Sequence, residues 1–365
     1  MKKITFITHE NIEKTAVAKA MFYDLVLNLK DKYKCHFISA GDKKNEFVDD
    51  NGIKRIDFPR KHQGKISLID FFNIFGSFFI IIKSIYNSDV LYIRSYPMMI
   101  LFAFWARLFR VKVVFDTRGL FFEELYDSGK MKNVLVRRLF SHLECLLLKI
   151  STKVICVSEE QMNYYSDIFS KEELYIVFYN ASKPTTNLEI LPDDGTLKIG
   201  YVGSLIKWHC PDLMFEIISA LNDKHTDVEF HCVTRDIDSA RRFFSGLDNV
   251  KIYSHDYRNS PIKFDLGICL IEDTISKKVC FPVKFSEYLS AKTPVMYSNN
   301  VRVCDEIASK IYVGFGVSLS ENAESIADKI IEFSRRDANF NKVDLPDFLM
   351  FDSISVRVED MLGSI

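Results

Sequence analysis

Short apolar runs rich in β-branched residues recur along the chain. In the first half they cover residues 4–8, 35–39, 89–93, 112–116, 153–157 and 174–178. In the second half they cover residues 197–202, 228–233, 250–253, 264–270 and 294–297. Strands that are buried on both faces have this composition, and they are typical of parallel sheets.

Segments with helical periodicity lie between several of these runs, at residues 16–29, 69–85, 98–109, 134–150, 212–221 and 286–291. Alternating strands and helices predict a doubly wound α/β fold. The alternation stops once, at residues 180–196, which are polar and contain two prolines and one glycine. We interpret this segment as a linker between two domains.

A length of 365 residues also fits two domains. We therefore predict a Rossmann-like domain over residues 1–182, a second one over residues 195–347, and a C-terminal helix within residues 348–365 that packs on the first domain. Ligands of open α/β sheets bind at the carboxyl ends of the strands. The functional residues should accordingly follow strands and face a central crevice.

The composition is globular, with 48% hydrophobic and 27% charged residues. The formal net charge of −1 argues against a general nucleic-acid-binding protein. Residues 1–180 carry 27 basic against 21 acidic side chains, and the remainder carries 21 against 28. The basic first half either suits an anionic membrane surface or reflects ordinary surface variation.

The eight cysteines form no C-x-x-C pair and have no zinc-ligand spacing. This pattern favours a reducing compartment without structural disulfides or a metal site. No signal peptide is recognisable, and the longest apolar stretch has about a dozen residues, short of a membrane span. We expect a cytoplasmic protein, either soluble or peripheral on the inner face of the cell membrane.

A turn at residues 203–209 directly follows the predicted strand 197–202 and precedes an amphipathic helix. Gly203 lets the backbone approach a ligand closely. Ser204 follows it, and Lys207 and His209 add positive charge or donors near a helix N-terminus, which suits phosphate. The alternative is an ordinary strand-to-helix turn.

A second candidate segment begins at Pro282, which suits the start of a helix. Val283 and Lys284 follow, and a basic residue in the first helical turn opposes the helix dipole unless an anion binds there. Glu287 lies one turn further on nearly the same face, where a carboxylate could accept hydrogen bonds from ribose hydroxyls. The alternative is a surface Lys–Glu pair.

Together these segments resemble a known family. The stretch F-P-x-K-x-x-E-Y-L-S-x-x-x-P-V at residues 281–295 resembles the nucleotide-sugar signature of the retaining, sucrose-synthase-like family-four glycosyltransferases. The stretch Y-V-G-S-L-x-x-W-H at residues 201–209 resembles their V-G-x-L-x-x-W-H-G turn, and D-F-L-M-F-D-S at residues 347–353 resembles their closing segment.

The resemblance implies the GT-B fold, in which two Rossmann-like domains face a crevice and a C-terminal helix crosses back to the first. It implies transfer of a hexose-type sugar from a nucleotide-diphosphate sugar, such as a UDP- or GDP-sugar, to a glycan or lipid-linked acceptor in cell-surface polysaccharide synthesis. No cofactor is implied, and because no D-x-D motif is suitably placed, no metal ion is expected.

Individual residues carry over from the family motif. Glu287 matches the carboxylate that holds the ribose, and Lys284 matches a lysine near the diphosphate. Pro282 and Val283, which precede Lys284 in the motif, belong to the same expected donor site. Gly203 matches the glycine of the phosphate turn.

The sequence also departs from the family pattern. Val279 replaces the first Glu of the E-x7-E motif, which contacts the donor sugar. Ser204 stands where many members have Arg, and His209 where many have Lys. Cys210 and Thr293 replace glycines. Because of these departures, the sequence does not decide whether the anomeric configuration is retained or inverted.

In the first half, residues 116–119 resemble the D-x-R-G turn of some of these transferases. Asp116 or Glu124 could orient or deprotonate an acceptor hydroxyl, and Arg118 could stabilise the leaving diphosphate. His9, after the first strand, is the general-base candidate for an inverting enzyme. The alternatives are an internal Asp116–Arg118 pair and a structural histidine.

Two further residues follow strands of the second half, where the family binds its nucleotide base. Arg235 is expected to stack on the base or pair with phosphate, and Tyr257 is expected to neighbour the base. The helices at residues 134–150 and 98–110 combine basic side chains with broad apolar faces. Such faces usually belong to a domain core, although they can also rest in a lipid interface.

Other functions with the same residues remain open. A same-fold epimerase or hydrolase would turn over the nucleotide-sugar without an acceptor. A non-catalytic partner subunit would keep the fold without the donor site, consistent with Val279. A hinged solute-binding protein is disfavoured by the missing export signal and the eight cysteines.

Overall fold

The computed structural model describes residues 1–15, 18–60, 68–181, 183, 187–224, 227–255, 257, 260–335 and 345–365, without the side chains of residues 68–75. The chain divides into two compact units. Unit 1 contains Met1–Tyr179 together with Asp352–Ile365, and unit 2 contains Asn180–Phe351.

Unit 1 is built on one eight-stranded sheet. Its strands are β1 (Lys3–Thr8), β2 (Lys34–Gly41), β3 (Asn45–Val48), β4 (Lys54–Pro59), β5 (Val90–Arg94), β6 (Lys112–Asp116), β7 (Lys153–Cys156) and β8 (Tyr175–Val177). The strand order is β3-β4-β2-β1-β5-β6-β7-β8, and every pair is parallel except β3 with β4. The order reverses between β1 and β5, which is the topological switch point of unit 1.

The helices of unit 1 connect these strands. After a π-helical turn at Lys19–Tyr23 they are α1 (Asp24–Leu29), α2 (Leu68–Tyr86), α3 (Tyr96–Leu108), α4 (Phe121–Asp127), α5 (Val134–Ile150) and α6 (Glu159–Ile168). Their buried side chains cover the sheet. Near its centre, Phe6, Phe22, Phe37 and Tyr92 pack ring against ring with centroids 5.2–5.8 Å apart.

Unit 2 has a six-stranded parallel sheet and a two-stranded one. The strands are β9 (Glu189–Ile190), β10 (Leu197–Val202), β11 (Val228–Val233), β12 (Val250–Tyr253), β13 (Ile262–Lys263), β14 (Leu266–Cys269), β15 (Val295–Ser298) and β16 (Gly314–Val317). The large sheet has the order β12-β11-β10-β14-β15-β16 and β13 pairs with β9. This is the Rossmann order, with its switch point between β10 and β14.

The helices that follow are α7 (Pro211–Asp223), α8 (Ile237–Phe243), α9 (Ile275–Lys278), α10 (Val283–Ser290), α11 (Arg302–Ile311), α12 (Ala323–Ser334) and α13 (Phe351–Ser364). Helix α13 packs on unit 1, where Asn28 Nδ2 donates to Ser355 Oγ at 3.1 Å and Arg357 Nη2 donates to Val177 O at 3.2 Å.

The predicted α/β architecture is confirmed, and strands β6, β10, β11 and β12 have the predicted bounds. The predicted helix 16–29 begins outside the described residues. Strands β3, β4, β9, β13 and β16 and helices α4, α8, α9, α11 and α12 were not predicted.

One expectation about the core is wrong in part. Leu147 and Leu148 of α5 are buried as expected for a core helix, but Leu135 and Leu139 of the same helix are 70% and 66% exposed. Helix α5 carries more apolar side chains than its neighbours in unit 1 cover, so a second apolar stripe faces outward.

Candidate functional site

The switch point of unit 2 brings the two candidate segments of the second half together. Gly203 directly follows β10, and the neighbouring strand β14 leads through residues 270–282 into helix α10. Parallel strands end at the same edge of the sheet, so both segments lie where ligands of open α/β sheets bind.

Helix α10 is held against the end of β10 by Tyr288. This side chain is fully buried, and its hydroxyl oxygen accepts a hydrogen bond from Val202 N at 2.9 Å. Residues four apart share a helix face, so the anchor directs Lys284 toward the residue after β10. A Cβ added to Gly203 would lie 2.7 Å from Lys284 Cε. The structure therefore places the predicted phosphate turn and the predicted lysine side by side.

Tyr201 joins Lys284 to the turn. Lys284 Nζ donates to the Tyr201 hydroxyl at 3.0 Å and lies 4.3 Å above the centroid of the tyrosine ring. The Tyr201 hydroxyl donates to Ser204 O at 2.6 Å. His209 Nδ1 lies 2.8 Å from the same carbonyl and 3.0 Å from the Tyr201 hydroxyl. The resulting network fixes the turn, and Gly203 has a φ of 137° that favours glycine.

The electrostatics of this network suit an anion. Burial lowers the pKa of Lys284 to about 8, against the opposing effect of Glu287. Burial and then the Lys284 charge lower the pKa of His209 to about 3, so the imidazole is neutral at pH 7. Within the described residues no carboxylate forms an ion pair with Lys284, and an ammonium group that has lost hydration gains from a bound oxyanion.

Glu287 lies one turn after Lys284 and is partly exposed. Burial is the main cause of the raised pKa of Tyr257, and the Glu287 charge adds to it; the same charge opposes the lowered pKa of Lys284. Tyr257 itself is 4% exposed, and its hydroxyl donates to Ile262 O at 3.2 Å. Its expected place beside the base therefore stays a prediction. Arg235 is exposed just after β11.

The rest of the turn contacts the segment after β14. Lys207 Nζ lies 3.3 Å from a carboxylate oxygen of Glu272, and Glu272 N donates to Trp208 O at 2.9 Å. Pro282 is the N-cap of α10, and Val279 is 8% exposed at the end of α9. An apolar side chain therefore occupies the place of the motif's first carboxylate.

Cys210, where the motif that the sequence resembles has glycine, adopts the left-handed conformation that glycine would favour, with a φ of 49°. The backbone path of the turn is thus kept although the residue type differs.

In unit 1, Asp116 and Arg118 form the internal ion pair that the sequence analysis gave as the alternative to a catalytic role. Arg118 Nε lies 2.8 and 2.9 Å from the two oxygens of the fully buried Asp116 carboxylate. Arg118 has a left-handed φ of 58°, a strained conformation for a side chain of its size. Tyr165 holds the turn by donating from its hydroxyl to Gly119 O at 3.1 Å.

Glu124 is exposed in the first turn of α4, and its Oε1 would lie 3.5 Å from a Cβ added to Gly119. The adjacent Glu123 is buried instead and accepts hydrogen bonds from Arg137 at 3.0 Å and Tyr164 at 3.1 Å. Of the two acidic residues, Glu124 is the one that faces solvent beside the turn.

His9 lies at the end of β1 beside three residues that the sequence analysis did not single out, Glu10, Arg60 and Arg94. Arg60 Nη1 donates to His9 O at 2.5 Å, and Arg94 Nε lies 3.3 Å from Glu10 Oε2. Burial lowers the pKa of His9 to about 4, so its imidazole is neutral at pH 7. Arg94 could have been recognised from the sequence, because it is a charged residue at the end of an apolar strand.

The described residues contain no group of three or more His, Cys, Asp or Glu side chains arranged to hold a metal ion. All eight cysteines are free thiols. No helix in the described ranges combines the length and apolarity required to cross a membrane.

No family model matches the chain, and no curated protein matches it. Several solved structures are similar to the chain. HepE from Anabaena, in complex with UDP and glucose, superimposes with a TM-score of 0.70 at 14% identity over 100% of both chains. The chain has the GT-B fold. A glycosyltransferase from Rickettsia africae gives a TM-score of 0.69 at 16% identity, covering 99% of this chain and 97% of that chain.

A third GT-B structure, sucrose-phosphate synthase from Thermosynechococcus elongatus, gives a TM-score of 0.67 at 11% identity over 100% of this chain and 99% of that chain. The match over nearly full length in each case means that both units, and not one Rossmann-like half alone, share the GT-B architecture.

Proposed function

We propose that this GT-B protein is a glycosyltransferase that takes a sugar from a nucleotide-diphosphate sugar. The observation that carries the proposal is the contact between Gly203 and Lys284 at the switch point of unit 2. Because Gly203 has no side chain, Lys284 can lie directly against the turn, where the partly desolvated lysine supplies positive charge for a phosphate. The structure of the similar HepE holds UDP and glucose, which is consistent with this donor class.

In this proposal Lys284 binds the diphosphate and Glu287 holds the ribose hydroxyls. Lys207 and Arg235 are exposed close to strand ends and supply further positive charge. Transfer then requires a stabilised leaving diphosphate and a correctly placed acceptor hydroxyl, with little covalent chemistry by the protein. We assign no metal to the step, and retention is proposed from the motif resemblance alone.

Unit 1 would supply the acceptor side of the reaction. Arg118 is preoriented by Asp116 and can stabilise phosphate charge, while Glu124 is the exposed carboxylate available to an acceptor hydroxyl. His9 is neutral at pH 7 and could accept a proton, although a pKa of about 4 makes it a weak base.

The test is a thermal-shift panel of UDP, GDP, ADP, CMP and TDP, followed by calorimetry with the best nucleotide. We expect at least one nucleoside diphosphate to stabilise the protein, and Glu287→Ala to bind it at least tenfold more weakly while remaining folded. Glu306→Ala, an exposed glutamate on α11 of the same unit, is the matched control.

Unchanged nucleotide affinity in Glu287→Ala would remove this residue from the site. A folded protein that binds none of the nucleotides would favour the non-catalytic partner subunit. Consumption of a nucleotide-sugar at full rate without any acceptor would favour the epimerase or hydrolase.

We also propose that the protein works in the cytoplasm at the inner face of the membrane, on a lipid-linked acceptor. Helix α3 packs against both α2 and α5 in unit 1. Large apolar side chains are exposed on all three, namely Phe79, Tyr86, Ile100, Phe104, Leu108, Val134, Leu135, Leu139 and Leu146. We call this set the apolar surface.

Exposed basic side chains accompany the apolar surface, namely Lys83, Arg107, Arg110, Lys132, Arg138 and Lys149. Apolar side chains flanked by Lys and Arg suit the interface of an anionic bilayer.

Sedimentation with vesicles of phosphatidylcholine and phosphatidylglycerol tests this contact. Leu139→Glu should reduce the bound fraction several-fold, because it places a charge within the apolar surface. Val356→Glu changes a similarly exposed apolar side chain on α13 and should bind like the wild type. Equal binding of all three proteins would contradict the membrane contact.

A further inference from the structure

The switch point of unit 1 carries a cluster of charged side chains, two of which, Arg60 and Arg94, have no role in the proposed transfer step. In the sheet register Thr8 pairs with Arg94 and Arg94 pairs with Asp116, so these residues end the adjacent strands β1, β5 and β6 at one level. All three are buried, and β1 and β5 flank the switch point. This edge is where a Rossmann-like sheet receives its ligand.

Arg94 is the unusual member of the cluster. Its side chain is 5% exposed, and Nη1 has no hydrogen-bond acceptor among the described residues. Its ion-pair partner is Glu10, at 3.3 Å from Nε. The Asp116 carboxylate lies against Arg118 Nε instead. Buried guanidinium N–H groups normally donate hydrogen bonds, often two of them to one oxyanion. The Nη1 group of Arg94 therefore lacks a hydrogen bond that its burial would lead us to expect.

Further guanidinium groups lie near Arg94. Arg60 and Arg118 bring theirs to the same edge, where the carboxylates of Glu10 and Asp116 also lie. Arg60 and Arg94 both influence the ionisation of His9, as Arg118 influences that of Arg94, so the cations lie close together. The edge therefore gathers several cations around the buried Arg94, whose Nη1 lacks an acceptor in the described part of the chain.

We propose that this edge binds an oxyanion, a phosphate or a carboxylate, carried by the acceptor sugar, with Arg94 and Arg60 as its ligands. The inference rests on the proposed transferase function and adds the chemical class of the acceptor. Glu10 is about one quarter exposed and occupies the place of the anion on Arg94. The incoming group displaces the Glu10 carboxylate and satisfies the buried guanidinium.

If the anion displaces Glu10, substitutions of Arg94 and of Glu10 should change the affinity for the anion in opposite directions. Arg94→Met removes the ligand for the anion and should weaken binding at least tenfold. Glu10→Gln removes the competing carboxylate and should strengthen binding several-fold. A purely structural ion pair would give no such opposite signs, because either change would merely break the pair.

Calorimetry on the full chain should use glucose 6-phosphate and glucuronate as charged probes and glucose as the neutral one. The wild type is expected to bind at least one charged probe ten or more times tighter than glucose. Arg60→Met is the second test variant in case Arg94→Met fails to fold, and circular dichroism checks the fold of each. Arg302→Met, at an exposed arginine that begins α11, makes the same charge change elsewhere.

UDP affinity is measured in parallel, because the donor diphosphate could also supply the oxyanion. Unchanged UDP binding in Arg94→Met and Arg60→Met, together with loss of the charged sugar, supports the acceptor assignment. Equal loss of UDP would overturn it and assign the cluster to the donor. Equal affinity for charged and neutral sugars, or weaker binding in Glu10→Gln, would overturn the oxyanion site, while UDP binding at Lys284 would still test the proposed function separately.

Discussion

Lys284 offers a quantitative test of the donor site because its charge should change within an accessible pH range. Its pKa is lowered to about 8, mainly by burial. A bound diphosphate beside the ammonium would raise this pKa again, since an opposite charge favours the protonated form. Nucleotide binding therefore takes up a proton above pH 8, and the affinity should fall as the pH rises through that value.

The magnitude follows from the fraction of charged lysine in the free protein. With a pKa of about 8, roughly 90% of the side chains are protonated at pH 7 and roughly 10% at pH 9. The affinity should fall about tenfold between these values, which is about 1.4 kcal/mol. Lys284→Met loses the charged hydrogen bond, worth about 1.5–3 kcal/mol, so it should bind about 10- to 150-fold more weakly at pH 7.

The assay is calorimetry of wild type and Lys284→Met with the same nucleotide at pH 7, 8 and 9. Ionisation of the nucleotide itself affects both proteins, so it cancels in the ratio of their dissociation constants. Lys310→Met, an exposed lysine on α11, should keep the wild-type pH dependence. The reasoning is refuted if the ratio is constant with pH, or if Lys284→Met binds as tightly as the wild type.

Two further substitutions test features around the sites. Gly203→Ala should lower the free energy of unfolding by about 1–3 kcal/mol, because alanine rarely adopts a φ of 137°. It should also weaken nucleotide binding, because the added Cβ displaces Lys284. A variant with the stability and the nucleotide affinity of the wild type would contradict this prediction. Burial raises the pKa of Glu144 to about 7, although Tyr96 donates to its carboxylate at 2.6 Å. The wild type should therefore lose stability between about pH 4.5 and pH 7, and Glu144→Gln should be more stable at pH 8 by on the order of 3 kcal/mol but not at pH 4. Urea unfolding at both pH values measures the difference, and equal pH profiles would disprove it.

The sequence predicted the strands of both parallel sheets well where they are buried on both faces, because such strands are continuous apolar runs. It failed at β4, where Arg55 and Asp57 interrupt the pattern. Arg55 is buried and pairs with Glu13 at 2.9 Å and with Asp57 at 3.4 Å. The pairing partner Glu13 comes from a distant segment, so the compensation could not be read locally.

Strand β16 was missed for a different reason. Its glycines resemble a turn, but Gly314 is required by packing, since an added Cβ would lie 1.9 Å from Val295 O in the neighbouring strand. A glycine that permits close approach of two strands has the same sequence signal as a glycine that ends one.

The donor-site candidates were predictable because Gly203 and Lys284 belong to two local motifs that both follow strands. Strand order then brings them together, as the sheet rule predicts. The cluster at His9 was not predictable in the same way. Arg60 and Arg94 come from different strand ends, and their approach to His9 depends on the order β4-β2-β1-β5 across the sheet.

The most direct test is a crystal structure of the protein soaked with the nucleotide that stabilises it most. We expect electron density for the diphosphate against Gly203, with a phosphate oxygen within hydrogen-bond distance of Lys284 Nζ and the ribose at Glu287. Density for the nucleotide at any other part of the molecule, with the Gly203–Lys284 contact unoccupied, would contradict the proposed donor site.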